Sequence, residues 1–95
     1  MNWEKTAQVS FDAVLAKVPV FLRPVAQRKV SQRAEANARE RSTQLNEIKV
    51  AGPLEVSLKD VVDAFFMETP FGFHGPLKMD MEALGIDYQK YGHSK

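Results

Sequence analysis

Two prolines, Pro19 and Pro24, constrain this chain more than any other residues because they bracket a corner between two helical patterns. Proline disfavours the helical conformation of the residue before it, so a helix that precedes Pro19 ends there. Pro24 suits the first turn of a new helix, where its missing N–H costs nothing. We expect Val18, Phe21 and Leu22 to anchor the corner in the core. Truncation of Phe21 to alanine is then predicted to cost about 3–5 kcal/mol.

Apolar residues recur at spacings of three and four on both sides of this corner. The first pattern predicts an amphipathic helix over about residues 3–17, with Asn2 as its N-cap. The second predicts a long helix from Pro24 to about Ser42. The apolar positions are Trp3, Ala7, Phe11, Val14, Leu15 and Val18 in the first pattern, and Leu22, Ala26, Val30, Ala34 and Ala38 in the second.

A third and a fourth helix are predicted in the second half of the chain. Ser57, with Asp60 three residues later, forms a near variant of a capping box ahead of a dense apolar face. Thr69-Pro70 closes that helix, and a glycine-bracketed aromatic loop follows over residues 71–76. A short fourth helix is expected over residues 77–84.

The connector over residues 42–56 contains a strong helix and strand breaker at residues 51–53. The apolar alternation around it allows a small hairpin, but an isolated two-stranded hairpin is marginal, so we expect an irregular loop. The chain as a whole is predicted to be all-α, a small bundle of three main helices plus a short fourth. Residues 1–66 form the three-helix domain, and residues 67–95 form an aromatic and methionine-rich extension on the same core. The connector's apolar anchors are Ile48, Val50, Leu54 and Val56.

Composition excludes several classes of site and partner. The chain has 95 residues, which predicts one domain, and no cysteine, which excludes disulfides and thiolate-bound metals. It has no apolar run of the roughly 20 residues that a membrane-spanning helix requires. Its first residues do not resemble a signal peptide, so a cytoplasmic location is expected.

The net charge of +1 conceals an asymmetry along the chain. Residues 23–41 carry six basic and two acidic side chains, whereas residues 55–87 carry two basic and seven acidic ones. The simplest interpretation is that the two segments neutralise each other in the fold. The alternative is that the basic helix binds nucleic-acid phosphates.

No residue set has the spacing of a catalytic, cofactor-binding or metal site. His74 and His93 lie far apart without acids at a ligand spacing, and no serine lies in a nucleophile motif. Met67, Met79 and Met81, with Phe71 and Phe73, either line a pocket or partner groove or pack in the core, and the core is favoured. A small enzyme or cofactor carrier with a pocket near His74 is a third hypothesis.

Part of the sequence resembles a known family over about residues 3–66. The family is the small helical domain at the C-terminus of the B subunit of light-independent protochlorophyllide reductase. The same domain also occurs as a short separate protein. The chain departs from the family pattern at Ser31, at Arg33 and in its longer connector. Residues that carry the resemblance are Trp3, Ala7, Leu15, Val18, Pro19, Phe21, Leu22, Arg23, Arg28, Ala34, Ala38, Val56, Ser57, Leu58, Val61, Asp63 and Ala64.

The resemblance implies a helical accessory domain with a docking or regulatory role. Electron transfer in that reductase uses an iron–sulfur cluster held by other domains. We therefore predict a non-catalytic module, without a cofactor of its own, that binds a protein partner and docks on or regulates a larger oxidoreductase complex. Candidate partner-binding residues are Arg28, Gln32, Arg39, Phe71, Phe73 and His74, and the structural motif comprises Trp3, Pro19, Phe21, Arg23 and Ser57. Arg23 is expected to pair with the acidic third helix.

Overall fold

A computed structural model describes the backbone of residues 2–44 and 55–93 and the side chains of all of these except residues 42–44. The predicted all-α class is confirmed, since the described part of the chain is predominantly helical with only a two-strand parallel sheet. The expected loop over residues 45–54 lies outside the described residues. The elements are β1 (Asn2–Trp3), α1 (Lys5–Leu15), α2 (Arg23–Gln44), β2 (Glu55–Val56), α3 (Leu58–Glu68) and α4 (His74–Ala83), with 3₁₀ turns at Phe71–Phe73 and Gln89–Tyr91.

The first two described residues form a strand, so the prediction of a helix from residue 3 with Asn2 as N-cap is wrong. Strands β1 and β2 pair in parallel, with Trp3 opposite Val56, and the Glu4 N–H donates to the Val56 carbonyl at 2.9 Å. The Trp3 ring lies edge-on to Phe11 at 5.1 Å. This pairing holds the backbone extended until α1 begins at Lys5. It also makes Glu55–Val56 a strand rather than the end of an irregular loop.

The helices alternate in direction. Because β1 and β2 are parallel and each leads directly into a helix, α1 and α3 run in the same direction. Helix α2 runs antiparallel to α3, since Arg41 pairs with Asp60 at 3.0 Å while Arg33 pairs with Glu68 at 3.1 Å. The end of α3 therefore lies beside Arg33, about 15 Å along α2 from its first residue.

The core lies where α2 and α3 pack, and the C-terminal residues complete it. Ala34 and Ala38 are fully buried, as expected for small residues at a close helix contact. The fourth helix begins at His74, three residues earlier than predicted. Gly85 adopts a φ of 75° and ends that helix, where the Ile86 N–H donates to the Met81 carbonyl at 2.8 Å. The second half of the chain adds Val56, Val61, Val62, Ala64, Phe65, Phe66, Leu77, Met81, Ile86 and Tyr88 to the core.

The predicted cap of α3 is confirmed and extended. Ser57 and Asp60 form a capping box, in which the Ser57 N–H donates to the Asp60 carboxylate at 2.9 Å. Asp60 is 2% exposed, and its second partner is the Arg41 guanidinium. This hydrogen bond raises the pKa of Arg41 above its ordinary value. The same guanidinium donates to the Glu55 carbonyl at 3.0 Å, so one arginine joins α2 to β2 and α3.

The corner between α1 and α2 does not lie in the core, so the prediction that Phe21 and Leu22 anchor it there is wrong. The Phe21 side chain is 80% exposed and Leu22 is 47% exposed, while Val18 is half-buried against the core. Helix α1 already ends at Leu15, and Val20, Phe21 and Leu22 of the following turn are exposed. Truncation of Phe21 to alanine should therefore lower the free energy of unfolding by much less than the about 3–5 kcal/mol expected for a buried ring.

Candidate protein-interaction surface

The corner is a compact turn held by its own backbone. Pro19 begins it, and its carbonyl accepts hydrogen bonds from the Leu22 N–H at 2.9 Å and the Arg23 N–H at 3.0 Å. The Ala26 N–H then donates to the Leu22 carbonyl at 3.0 Å, which starts the hydrogen bonding of α2. The ring of Pro24 fixes φ in the first turn of the same helix. The corner therefore has little freedom to rearrange.

Arg23 supports the corner from its inner side and does not pair with the acidic third helix as predicted. Its guanidinium donates to the carbonyls of Leu15 at 3.2 Å, Ala16 at 3.2 Å and Val18 at 3.0 Å. These groups include carbonyls that the end of α1 leaves without a helical partner. A cation beside a helix C-terminus also interacts favourably with the helix dipole. Arg23 thus joins the end of α1 to the start of α2.

Four apolar side chains project from this supported turn, and we call Val20, Phe21, Leu22 and Val25 the docking corner. Their exposed fractions are 73%, 80%, 47% and 44%, respectively. Contiguous exposed apolar residues of this kind mark interaction sites more often than scattered single ones do.

A second group of exposed apolar side chains lies just after α3. Phe71 is 87% exposed and Phe73 is 63% exposed, and both belong to the 3₁₀ turn that follows that helix. Met67 and Met79 are also exposed, so the favoured core role holds for Met81 but not for these two. The second half of the chain therefore carries exposed apolar surface of its own.

His74 has a structural position rather than a free one. Its Nε2 lies 3.0 Å from the Phe66 carbonyl oxygen and 2.9 Å from the Thr69 carbonyl oxygen. Both neighbours are acceptors, so Nε2 carries the hydrogen and donates. The ring lies edge-on to Phe66 at 5.1 Å. His74 holds the end of α3 in place, next to the exposed Phe71 and Phe73.

The candidate residues on α2 fall in two places. Arg28 and Gln32 are exposed on the part of the helix that continues from the docking corner. Gln32 lines a shallow groove of about 260 Å³ between α2 and the end of α3. Arg39 lies further along the helix, where it pairs with Glu35 at 3.8 Å. The structure therefore places Arg28 and Gln32, but not Arg39, beside the docking corner.

A histidine–carboxylate pair that the sequence did not indicate ties the tail to α3. His93 Nε2 lies 2.6 Å from the Asp63 carboxylate, and Lys59 Nζ lies 2.6 Å from the other oxygen of that carboxylate. The His93 ring stacks on Phe66 with a centroid separation of 4.1 Å. The chain segment between Asp63 and His93 has no local pattern that predicts this contact. The pair fixes the position of the tail over α3.

Among residues 2–44 and 55–93, no group of three or more His, Asp or Glu side chains stands close enough to hold a metal ion. An open groove of about 420 Å³ lies between the start of α1 and the tail, with Val9, Leu58 and Ile86 among its mainly apolar lining residues. No helix in the described ranges is both long enough and apolar enough to cross a membrane.

Comparisons with known proteins do not assign this chain to a family. No family model matches the sequence. Searches of curated proteins and of solved structures likewise find no match. The resemblance to the helical domain of light-independent protochlorophyllide reductase therefore stays a prediction. The site rests on the geometry of the docking corner.

Proposed function

We propose that this protein is a non-catalytic accessory module that docks on a protein partner through the docking corner. The observation that carries this proposal is the exposure of four neighbouring apolar side chains on a turn that two prolines and Arg23 hold in place. A folded domain gains nothing in stability from apolar side chains that stay in water. Their burial against a partner would recover that contribution.

The rigid support of the corner favours binding. Association has to offset the entropy lost when side chains and loops become ordered, and a preformed surface reduces that loss. Phe21, at the outermost point of the turn, has the character of an interface anchor, since a few large side chains carry most of the binding energy at protein interfaces.

A larger oxidoreductase complex is the partner class that the sequence resemblance suggests. Pro19, Phe21 and Arg23, the most specific residues of that resemblance, are the ones that build and support the docking corner. Helical periodicity alone explains the buried residues of the pattern, but it does not explain an exposed phenylalanine. The chain has no cysteine, so thiolate ligands for an iron–sulfur cluster would come from the partner.

Nucleic-acid binding by α2 receives less support from the arrangement of its cations. The Arg33 and Arg41 side chains pair with Glu68 and Asp60 of α3, which accords with mutual neutralisation of the basic and acidic segments. Arg23 donates to backbone carbonyls. A band-shift assay with DNA and RNA at low salt separates the two functions, since strong salt-dependent retardation would favour nucleic acid.

Site-specific photo-crosslinking in the native cell tests the docking proposal. A photoreactive phenylalanine analogue replaces Phe21 in one variant and Val9 in a matched control, because Val9 is also an exposed apolar residue but lies on α1, away from the corner. We expect the residue-21 probe to form a discrete protein adduct that the residue-9 probe does not form. The absence of any protein adduct at residue 21, or equal adducts at both positions, would refute the proposal.

A further inference from the structure

We infer that the partner presents an apolar pocket rimmed by carboxylates, with Phe21 in the pocket and cations of this chain on the rim. The inference rests on the proposed docking function and adds the chemistry of the partner. It comes from the charges that flank the docking corner along the sequence, which are all positive.

The sequence around the corner contains no acidic residue. From residue 13 to residue 34 the chain carries five lysines and arginines and neither aspartate nor glutamate. Two of the five already have partners, since Arg23 donates to backbone carbonyls and Arg33 pairs with Glu68. The other three form no ion pair with any residue in the described ranges, and we call them the basic collar: Lys17, Arg28 and Lys29.

The basic collar flanks the docking corner on both sides. Val25, Arg28 and Lys29 are spaced by three and four residues on α2, so they share one face of the helix. Lys17 lies on the other side of the turn, after the end of α1. All three cations are exposed. An apolar centre surrounded by polar groups is the usual anatomy of a protein interface, and this rim is positively charged.

The groove beside the collar has a mixed polar lining. Lys29, Gln32, Arg33 and Glu68 line it, and Glu68 is paired with Arg33. A protein edge offers both donors and acceptors to match such a mixture. Carboxylates on the partner also steer association through long-range attraction to the collar.

The test uses the full chain with the photoreactive residue at position 21, in lysate of the native cell. Crosslinking is compared at about 0.1 M and about 1 M NaCl, between which the Debye length falls from roughly 10 Å to roughly 3 Å. One variant carries both Arg28→Glu and Lys29→Glu, which reverses two charges of the collar. The control variant carries both Lys5→Glu and Lys90→Glu. The control pair is also exposed but lies away from the corner. Circular dichroism and thermal melting confirm that both variants fold.

We expect the adduct yield to fall about tenfold or more at high salt and in the corner reversal, and to stay unchanged in the control reversal. The crosslinked peptide, sequenced by mass spectrometry, should carry apolar residues flanked by aspartate or glutamate. Changing those acids to lysine should restore crosslinking to the Arg28→Glu, Lys29→Glu variant.

A protein adduct that ignores both salt and charge reversal would overturn the carboxylate rim while leaving the docking function intact. An adduct with lipid or nucleic acid would overturn the inference that the partner surface is protein. The absence of an adduct under every condition would overturn both proposals together.

Discussion

Truncation of Phe21 to alanine tests whether this side chain, on which the docking proposal depends, contributes to the stability of the domain. Since the side chain is 80% exposed, only about a fifth of it contributes burial energy. Complete burial of a phenylalanine contributes about 1.5–3 kcal/mol, so the contribution of Phe21 is about 0.3–0.6 kcal/mol. We expect Phe21→Ala to lower the free energy of unfolding by no more than that.

Phe65 provides the matched control, because it is the same residue type in the core. It is 3% exposed, and its ring centroid lies 5.7 Å from that of Phe11. Removal of a buried phenylalanine ring costs about 3–5 kcal/mol, through lost burial and the cavity left behind. Small domains have total stabilities of about 5–15 kcal/mol, so Phe65→Ala removes a large share of the total.

Urea unfolding followed by far-ultraviolet circular dichroism measures both variants against the parent protein. An unchanged slope of the free energy against urea concentration shows that a shift in the midpoint reports stability. For a domain of this size, 1 kcal/mol corresponds to about 4–8 °C in Tm, so the two variants are easily resolved. A loss of more than about 2 kcal/mol in Phe21→Ala would show that its ring is buried, and the docking corner would not exist as described.

Three further changes test individual contacts. Arg23→Ala removes three hydrogen bonds to the end of α1 and should cost about 1–2 kcal/mol, with faster amide exchange over the corner; slow exchange at the Leu22 amide would contradict this role. Asp60→Ala removes the capping box and the ion pair with Arg41, so urea unfolding should show a loss of about 2–3 kcal/mol in the free energy of unfolding. A loss below about 0.5 kcal/mol would rule out a structural role for Asp60. The hydrogen bond from the Tyr88 hydroxyl to Glu82 raises the pKa of Tyr88 above its ordinary value of 10.0. The contribution of this hydrogen bond to the free energy of unfolding is therefore complete below pH 10.0 and is lost as the pH rises through the folded-state pKa. Thermal melts should therefore lose stability above about pH 10 in the parent and less so in Tyr88→Phe; parallel profiles would contradict the contact.

The helical faces of this domain were predictable because their signals are local. Spacings of three and four residues identified Ala34 and Ala38 as the narrow buried face of α2, and both are fully buried. The Ser57–Asp60 cap was equally readable, since a capping box needs only two side chains three residues apart. The buried face of α2 and the cap of α3 both depend on residues within a few positions of each other in the sequence.

Features that depend on distant partners were not predictable in the same way. The strand at Asn2–Trp3 exists because Glu55–Val56 pairs with it, and no short window of sequence contains both. Without that pairing, Trp3 fits the helical period of the residues that follow. The His93 contact with Asp63 depends in the same way on how the tail returns to α3.

The roles of the candidate site residues stay predictions. Phe71, Phe73 and Arg28, which are predicted to bind a partner, are exposed, and the His74 ring lies against the end of α3. Phe21 and Leu22 are predicted to lie in the core because they are apolar, and that prediction fails because hydrophobicity alone does not distinguish a buried phenylalanine from an exposed one. The distinguishing information is the position of the Arg23 guanidinium, which only the folded turn determines.

Arg23 explains how the domain keeps an apolar turn in water without losing its shape. An exposed loop of this composition would ordinarily gain from collapsing onto the bundle, but its carbonyls would then lie against apolar side chains without partners. The guanidinium donates to the carbonyls of Leu15, Ala16 and Val18, at the end of α1 and the start of the turn, and therefore favours the exposed conformation of Phe21. Under the docking proposal, Arg23 would raise the affinity of the docking corner by holding Phe21 outward before a partner arrives.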